Sequence, residues 1–170
     1  MTAIAKRKKT PGGQDPNNRV VASNRRARRD FQISETYECG MVLRGSEVKS
    51  LREAQVQIAE SYARVQNGEL WLYSLHIAPY SHSGAAMGHD PDRRKKLLVN
   101  RSELNKIEIQ TENDGLTLVP LQLYFKNGKA KLELGVARRM AKEDRRQDIA
   151  KRDAARDAER ELGRRMKYGT

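Results

Sequence analysis

The sequence predicts a β-rich fold: a small closed barrel of about six antiparallel strands with two short helices, followed by a basic C-terminal tail. Three observations lead there. Apolar and polar residues alternate through most of residues 31–136, the period of half-buried strands. Asn-Gly occurs twice between such runs, at Asn67-Gly68 and Asn127-Gly128, and supplies the two positive-φ positions of a tight hairpin turn. Charge is partitioned as well. Residues 1–30 hold nine basic and two acidic side chains, 31–136 hold thirteen of each, and 137–168 hold twelve basic and seven acidic. A neutral middle between two cationic ends suits a folded module that grips a polyanion with its arms. Closure is expected because short antiparallel strands otherwise leave open edges.

In chain order, residues 1–19 read as a disordered basic leader, with Pro11-Gly12-Gly13 and Pro16-Asn17-Asn18 and almost no large apolar residue. Arg25, Arg26, Arg28 and Arg29 follow, four guanidinium donors for phosphate oxygens directly before the first strand. Phe31, Ile33, Tyr37, Cys39, Met41 and Leu43 then alternate along a bent strand or strand pair. Residues 46–54 form a short helix that Ser46 can cap, with Val48, Leu51 and Ala54 on its apolar side. Residues 62–65 and 70–73 flank the first Asn-Gly as a hairpin. Residues 75–80 alternate again, and 81–94 read as a long polar loop.

The basic run Arg93-Arg94-Lys95-Lys96 leads into Leu97-Leu98-Val99. Asn100-Arg101-Ser102-Glu103 has the form of a capping box and starts a second helix over about 101–107. Residues 116–125 make the strongest strand, in which Pro120 demands an edge or a bulge. Residues 130–136 return across the second Asn-Gly. The folded domain is thus 20–136 and the tail 137–170. Nothing between 137 and 162 breaks a helix, and opposite charges recur at helical spacing: Asp148 with Arg152, Asp153 with Arg156, Asp157 with Arg160, Glu161 with Arg165. Its apolar stripe of Ile149, Ala155, Ala158, Leu162 and Met166 is thin. The tail is therefore expected to be disordered when free and helical when bound.

Several function classes fall away. No run of about twenty apolar residues could span a bilayer, and no apolar stretch follows Lys6-Arg7-Lys8-Lys9 as a secretory signal requires. The single cysteine, Cys39, rules out an intrachain disulfide framework and fits a reducing cytoplasm. His76, His82 and His89 lack metal-ligand spacing, so neither metal nor cofactor is expected. Ser81-His82-Ser83 has no evident carboxylate to orient an imidazole, and no phosphate-binding glycine loop exists. A binding protein is expected rather than an enzyme. With 5% aromatic residues, recognition by shape and phosphate is expected over base stacking.

Asn24-Arg25-Arg26-Ala27-Arg28, Glu38-Cys39-Gly40, Gly45-Ser46-Glu47-Val48-Lys49-Ser50-Leu51-Arg52-Glu53, His76-Ile77-Ala78-Pro79-Tyr80, Asp90-Pro91 with residues 93–98, and Leu116-Thr117-Leu118-Val119-Pro120-Leu121 with Tyr124-Phe125-Lys126 together resemble the small protein B (SmpB) family. Its members partner transfer-messenger RNA (tmRNA, SsrA RNA) in bacterial ribosome rescue. The likeness covers roughly residues 20–146, and the closing Glu161-Leu162-Gly163-Arg164-Arg165 resembles actinobacterial members.

The resemblance implies an oligonucleotide-binding (OB) barrel that holds the transfer-RNA-like end of the RNA. It also implies a tail that is unstructured until it enters the empty messenger channel of a stalled 70S ribosome. Implied RNA contacts are Asn24, Arg25, Arg28, Glu38, Leu98, Asn100 and Lys131. Implied ribosome contacts are Asp144, Arg145 and Arg146. Elongation factor Tu on the charged RNA is a further implied partner, and a monomer is expected. The chain departs from the family where Gly-Lys-Lys usually follows the last strand: Arg139-Met140-Ala141 stand there, which suggests a stiffer hinge. Ile109 also replaces a common glycine. A general basic RNA-binding or ribosome-assembly protein is the alternative reading.

Overall fold

Alternation, turns and caps build most of the elements in the computed structural model, which describes residues 15–82, 84 and 88–168. They are β1 Arg19–Ser23, α1 Arg25–Asp30, β2 Phe31–Met41, α2 Gly45–Arg52, β3 Val56–Gln57, β4 Tyr62–Gln66, β5 Glu69–Tyr73, β6 His76–Ile77, β7 Lys95–Leu98, α3 Arg101–Asn113, β8 Thr117–Lys126, β9 Lys129–Arg139 and α4 Lys142–Tyr168. The fold is β-rich and antiparallel, with nine strands and four helices among the described residues. That exceeds the expected six strands and two helices. The added strands β1, β3 and β7 are short, the expected strand at 75–80 is reduced to β6, and the added α1 lies in the arginine run, where charge masked a helix.

In the main sheet the strands are ordered β1-β8-β4-β5-β7-β2-β9, and β9 also pairs with β8. Both Asn-Gly turns form hairpins with positive φ at all four residues: Asn67, Gly68, Asn127 and Gly128. The inward faces supply Tyr37, Cys39, Leu70, Leu72, Leu97, Leu118, Leu123, Phe125, Leu132, Leu134 and Val136 to one core. A Leu or Phe buried there contributes about 1.5–3 kcal/mol.

Besides a register shift between Val20 and Ala22 in the β1–β8 pairing, two bulges cut across this pattern. The β2–β9 register shifts between Ile33 and Glu35, and the β8–β9 register shifts between Pro120 and Gln122. Each bulge inserts one residue and so exchanges the faces of the strand. Phe31 and Ile33, on the same odd positions as Tyr37 and Cys39, consequently leave the main core. They join Val119, Leu121, Ala137 and Ala27 of α1 in a second small cluster. Pro120 sits at a bulge in a strand paired on both sides, not at an edge.

Other expectations shift in detail. Helix α2 starts one residue before Ser46; the Arg44 N–H donates to Glu47 Oε2 at 2.6 Å, while Ser46 Oγ meets His89 Nδ1 at 3.0 Å. Ala54 is exposed at φ 56°, past the helix end rather than on its apolar side. The Asn100 N–H donates to Glu103 Oε2 at 3.3 Å as the capping box requires, but α3 runs on to Asn113. Strand β9 continues three residues past Val136, with Ala137 fully buried and paired with Ile33 and Thr117. The end of the leader, residues 15–18, forms a turn. Its Asn17 carbonyl accepts from Gly128 N–H, and its Asn18 side chain accepts from Asn127 N–H, both at 3.0 Å. The rest of the leader, residues 1–14, lies outside the described residues, as does Ser83.

Candidate nucleic-acid interface

The side chains on the outer face of β2, β7 and β9 come from segments far apart in sequence. In β2, Tyr37 and Cys39 point inward, so Glu38 and Gly40 face out. Gly40 pairs with Leu98 of β7 on one side and with Lys131 of β9 on the other. Having no side chain, it leaves a shallow place between them: a Cβ there would lie 3.4 Å from that of Leu98. Leu98 is 51% exposed, an apolar side chain on an otherwise polar part of the face. Asn100 follows as the N-cap of α3, and Tyr124 of β8 lies across from Lys131. Glu38, Leu98, Asn100 and Lys131, predicted from three separate stretches, are thus brought together.

Glu38 anchors a polar network on this face. It accepts from the Tyr124 hydroxyl and from Lys126 Nζ at 3.1 Å. The Tyr124 hydrogen bond, then those of Lys126, and the charges of Lys126 and Lys131 hold its carboxyl below the usual carboxylate range. The same contacts, with burial as the larger cause, push the Tyr124 hydroxyl well above its ordinary value. A cleft of about 620 Å³ opens beside Glu38, lined by Val20, Gln122, Tyr124, Lys126 and Glu133 among others. It can receive a ribose or base edge, with a fixed acceptor at Glu38 and cations beside it.

The arginine segment divides. Arg28 reaches this face, pairing at 3.2 Å with Glu133, the register partner of Glu38. Arg25 is exposed and makes no ion pair among the described residues. Asn24 is 3% exposed and caps α1: its Oδ1 accepts from the Ala27 N–H at 3.0 Å and its Nδ2 donates to the Pro120 carbonyl at 3.0 Å. It braces the arginine helix against the bulge in β8, with its amide nearly enclosed.

The run 93–96, read as a basic cluster, is split by alternation. Lys95 points inward and is fully buried, its Nζ donating to the Leu75 carbonyl at 2.6 Å. Burial lowers its pKa, against the pull of Glu47. Arg93 is bound to the buried Glu47, Lys96 pairs with Glu69, and Arg94 lies over the Trp71 ring. Sequence reasoning could have found this from the period-two pattern of 95–98.

The histidines are engaged in contacts with neighbours. His76 Nδ1 lies 2.9 Å from Asp92, His89 bridges Ser46 and the Ile77 carbonyl, and His82 is exposed beside Ser81. Burial pushes the Cys39 thiol up to about 12. Among the described residues no group of three His, Cys, Asp or Glu is placed to hold a metal ion, and no helix is long and apolar enough to cross a membrane.

The tail leaves from the opposite end of β9. The Met140 N–H donates to the Asp30 carbonyl at 3.0 Å, and Arg145 Nη2 lies 3.3 Å from the Asp30 carboxylate. Asp144 and Arg146 are exposed, and past Asp148 every described side chain of α4 faces solvent. Of the predicted tail pairs, Asp157–Arg160 closes at 3.7 Å, and Glu161–Arg165 involves a side chain outside those described.

Comparison with known proteins gives the family of the chain. The sequence model of the family described as "SmpB protein" matches residues 21–164. An SsrA-binding protein of Roseiflexus castenholzii is 51% identical over 88% of this chain and 95% of its own length. One of Mycolicibacterium vanbaalenii is 50% identical over 94% and 96%, and one of Thermobifida fusca is 47% identical over 95% and 99%. A solved structure described as "tmRNA-SmpB: a journey to the center of the bacterial ribosome" superposes with a TM-score of 0.60 at 46% identity, covering 75% of this chain and 93% of that one. By a family match that spans most of its length and relatives at about half identity end to end, this chain belongs to the SmpB family.

Proposed function

We propose that this chain is an RNA-binding adaptor that holds the transfer-RNA-like part of tmRNA and delivers it to stalled 70S ribosomes for trans-translation, the rescue of the ribosome and tagging of the incomplete product. The names of its relatives, which bind SsrA RNA, and the solved tmRNA–SmpB structure support this reading. The observation that carries it is the meeting of Glu38, Leu98 and Lys131 around Gly40. An exposed leucine, a fixed acceptor and a cation on one sheet face make a contact for folded RNA rather than a pocket for a small substrate. The chain works as a binding protein, not an enzyme, in the cytoplasm and as a monomer. Elongation factor Tu on the charged RNA is a further partner.

In this reading the body is a closed OB-like barrel, which the return pairing of β9 onto β8 supports. Asn100 and Arg25 extend the RNA contact, Arg28 reaches it through Glu133, and Asn24 holds the arginine helix in place. The body runs from the turn at 15–18 to Arg139, because Ala137 is buried in the sheet. The tail follows, loose in the free protein and helical in the messenger channel, with Asp144, Arg145 and Arg146 as its first ribosome contacts. Its thin apolar stripe supports that behaviour.

The test is truncation after Ala141, which spares the sheet. RNA affinity should stay within a few-fold, while tagging of stalled products is lost. Lost RNA affinity with tagging by the residual complex intact would overturn this division of labour. The alternative, a general basic RNA-binding or assembly protein, is separated by competition at matched salt: a transfer-RNA-like fold should outcompete an unstructured RNA of equal length. Binding should also weaken steeply as salt rises.

A further inference from the structure

The outer face does not stop at Leu98. Continuing from β7 across β5 to β4, the inward positions Leu97, Leu70, Leu72 and Ala63 fill the core, and their neighbours face out. These outward residues include three of the chain's nine aromatic rings. Tyr62 and Tyr73, directly opposite in register, stack with centroids 5.4 Å apart and planes 16° from parallel. Trp71 lies between Arg64 on β4 and Lys96 on β7, and Arg94 sits 4.5 Å from its ring centroid. Tyr62 remains 42% exposed. Alternation sends Tyr124 and Phe125 to opposite faces, whereas Trp71 and Tyr73, two apart, share one.

Charge on this face is complementary to phosphate. Arg64 makes no ion pair among the described residues. Arg101, at the start of α3, comes within 3.9 Å of where a Cβ on Gly68 would lie. The carboxylate among them, Glu69, is bound by Lys96, and Glu60 beside Tyr62 is bound by Arg26 at 2.7 Å. Flat rings tolerate any base, and guanidinium groups beside them take the connecting phosphates; this pairing is what single-stranded nucleic acid requires. The patch is also continuous with the Leu98–Glu38–Lys131 face through β7, so one RNA can span both.

We propose that Tyr62, Tyr73 and Trp71, with Arg64 and Arg94, form a second RNA contact that stacks unpaired nucleotides next to the folded part held at Leu98. The inference rests on the RNA-binding reading above. Each stacked base adds about five- to a hundredfold in affinity in comparable sites.

Trp71 is the only tryptophan in the chain, so its emission reports from the site itself. The full-length protein is titrated with a fluorescently labelled oligoadenylate and with the same strand in a blunt duplex. Label anisotropy measures binding and Trp71 emission measures stacking. The single strand should quench Trp71 saturably and the duplex should not. The Tyr62→Leu/Tyr73→Leu pair, which keeps apolar bulk, should weaken single-strand binding about tenfold and leave duplex binding unchanged. Its urea midpoint serves as the control for folding, and Arg64→Gln is a second variant that leaves the rings intact and should weaken single-strand binding several-fold. Binding by anisotropy with Trp71 silent, or equal quenching by strand and duplex, overturns the stacking site and leaves the RNA-binding reading standing. No binding of either RNA overturns the stacking site, while the RNA-binding reading is judged separately by the competition with a transfer-RNA-like fold.

Discussion

Replacing Glu47 with alanine should destabilise the body by about 3 kcal/mol, through a route that also reaches the RNA face. The Glu47 carboxylate is fully buried and accepts three hydrogen bonds: from the Arg44 N–H at 2.6 Å and from Arg93 at 2.7 and 3.2 Å. Removing one partner of a buried ion pair costs about 3–5 kcal/mol, because the other charge is left uncompensated. Arg93 is 25% exposed and recovers part of its hydration, which selects the low end. For a body of this size the melting temperature should fall on the order of 10 °C. Arg93 also fixes the approach to β7, the strand that delivers Leu98 and Asn100, so RNA affinity should fall together with stability.

Urea unfolding followed by Trp71 emission measures the loss, with an unchanged m-value as the sign that only stability moved. Removing both charges in Glu47→Met/Arg93→Met should restore much of it. Acidification gives an independent reading. Burial pushes the Glu47 carboxyl up, but hydrogen bonds from Arg93 and the Arg44 amide, with the charges of Arg93 and Lys95, outweigh it and hold the carboxyl below its usual value. A depressed native pKa means that the stabilisation is complete above the unfolded carboxylate range and is lost as pH falls through the native value. Glu47→Gln should lack that part of the acid dependence. A Glu47→Ala protein within about 1 kcal/mol of wild type would refute the reasoning.

Three further outcomes are expected. Gly135→Ala places a Cβ 3.0 Å from Leu121 Cδ1 and 3.3 Å from Ile33 Cγ2, so urea unfolding should record a loss of about 1–3 kcal/mol from crowding; no loss would mean the second cluster yields freely. Tyr124→Phe removes the largest cause of the low Glu38 pKa, so carboxyl NMR titration should show that value rise toward the usual range. The stabilisation that Glu38 gives above that range, lost as pH falls through its native pKa, should shrink with it. Lys131→Gln should flatten the slope of log affinity against log salt by about 0.9, with stability unchanged within about 0.5 kcal/mol.

How much of this was legible depended on whether a signal was local. The two Asn-Gly turns and the capping box at Asn100 act within four residues, and they could be read directly. The bulges could not, because Phe31, Ile33, Tyr37 and Cys39 keep one parity through the shift. Only the partner strand reveals that the first pair has changed faces. The same limit hid α1, whose helix depends on Ala27 finding Val119 and Leu121 across the bulge in β8. At residues 93–96 the period-two pattern separates inward from outward side chains, but the partner of the enclosed Lys95, the Leu75 carbonyl twenty residues away, is a contact that pattern cannot supply. For the interface, the family resemblance picked out Glu38, Leu98 and Lys131 singly. The register around Gly40 explains why three such different residues belong to one contact.

The exit of the tail shows how a missing glycine can be offset. Arg139-Met140-Ala141 stand where the family's flexible Gly-Lys-Lys is expected, and the start of the tail is held by Asp30 through one backbone hydrogen bond and one ion pair with Arg145. Both partners of that ion pair are more than a quarter exposed, and such a pair contributes only about 0–1 kcal/mol, less as salt rises. The contact can therefore set the direction in which α4 leaves without fixing it in place. Arg145 is also among the residues implied to meet the ribosome. A phosphate-lined surface offers it a denser array of acceptors than one carboxylate, so exchange of Asp30 for phosphate costs little. Stiffness at the hinge and freedom of the tail are then compatible, because the restraint is an exposed ion pair rather than burial.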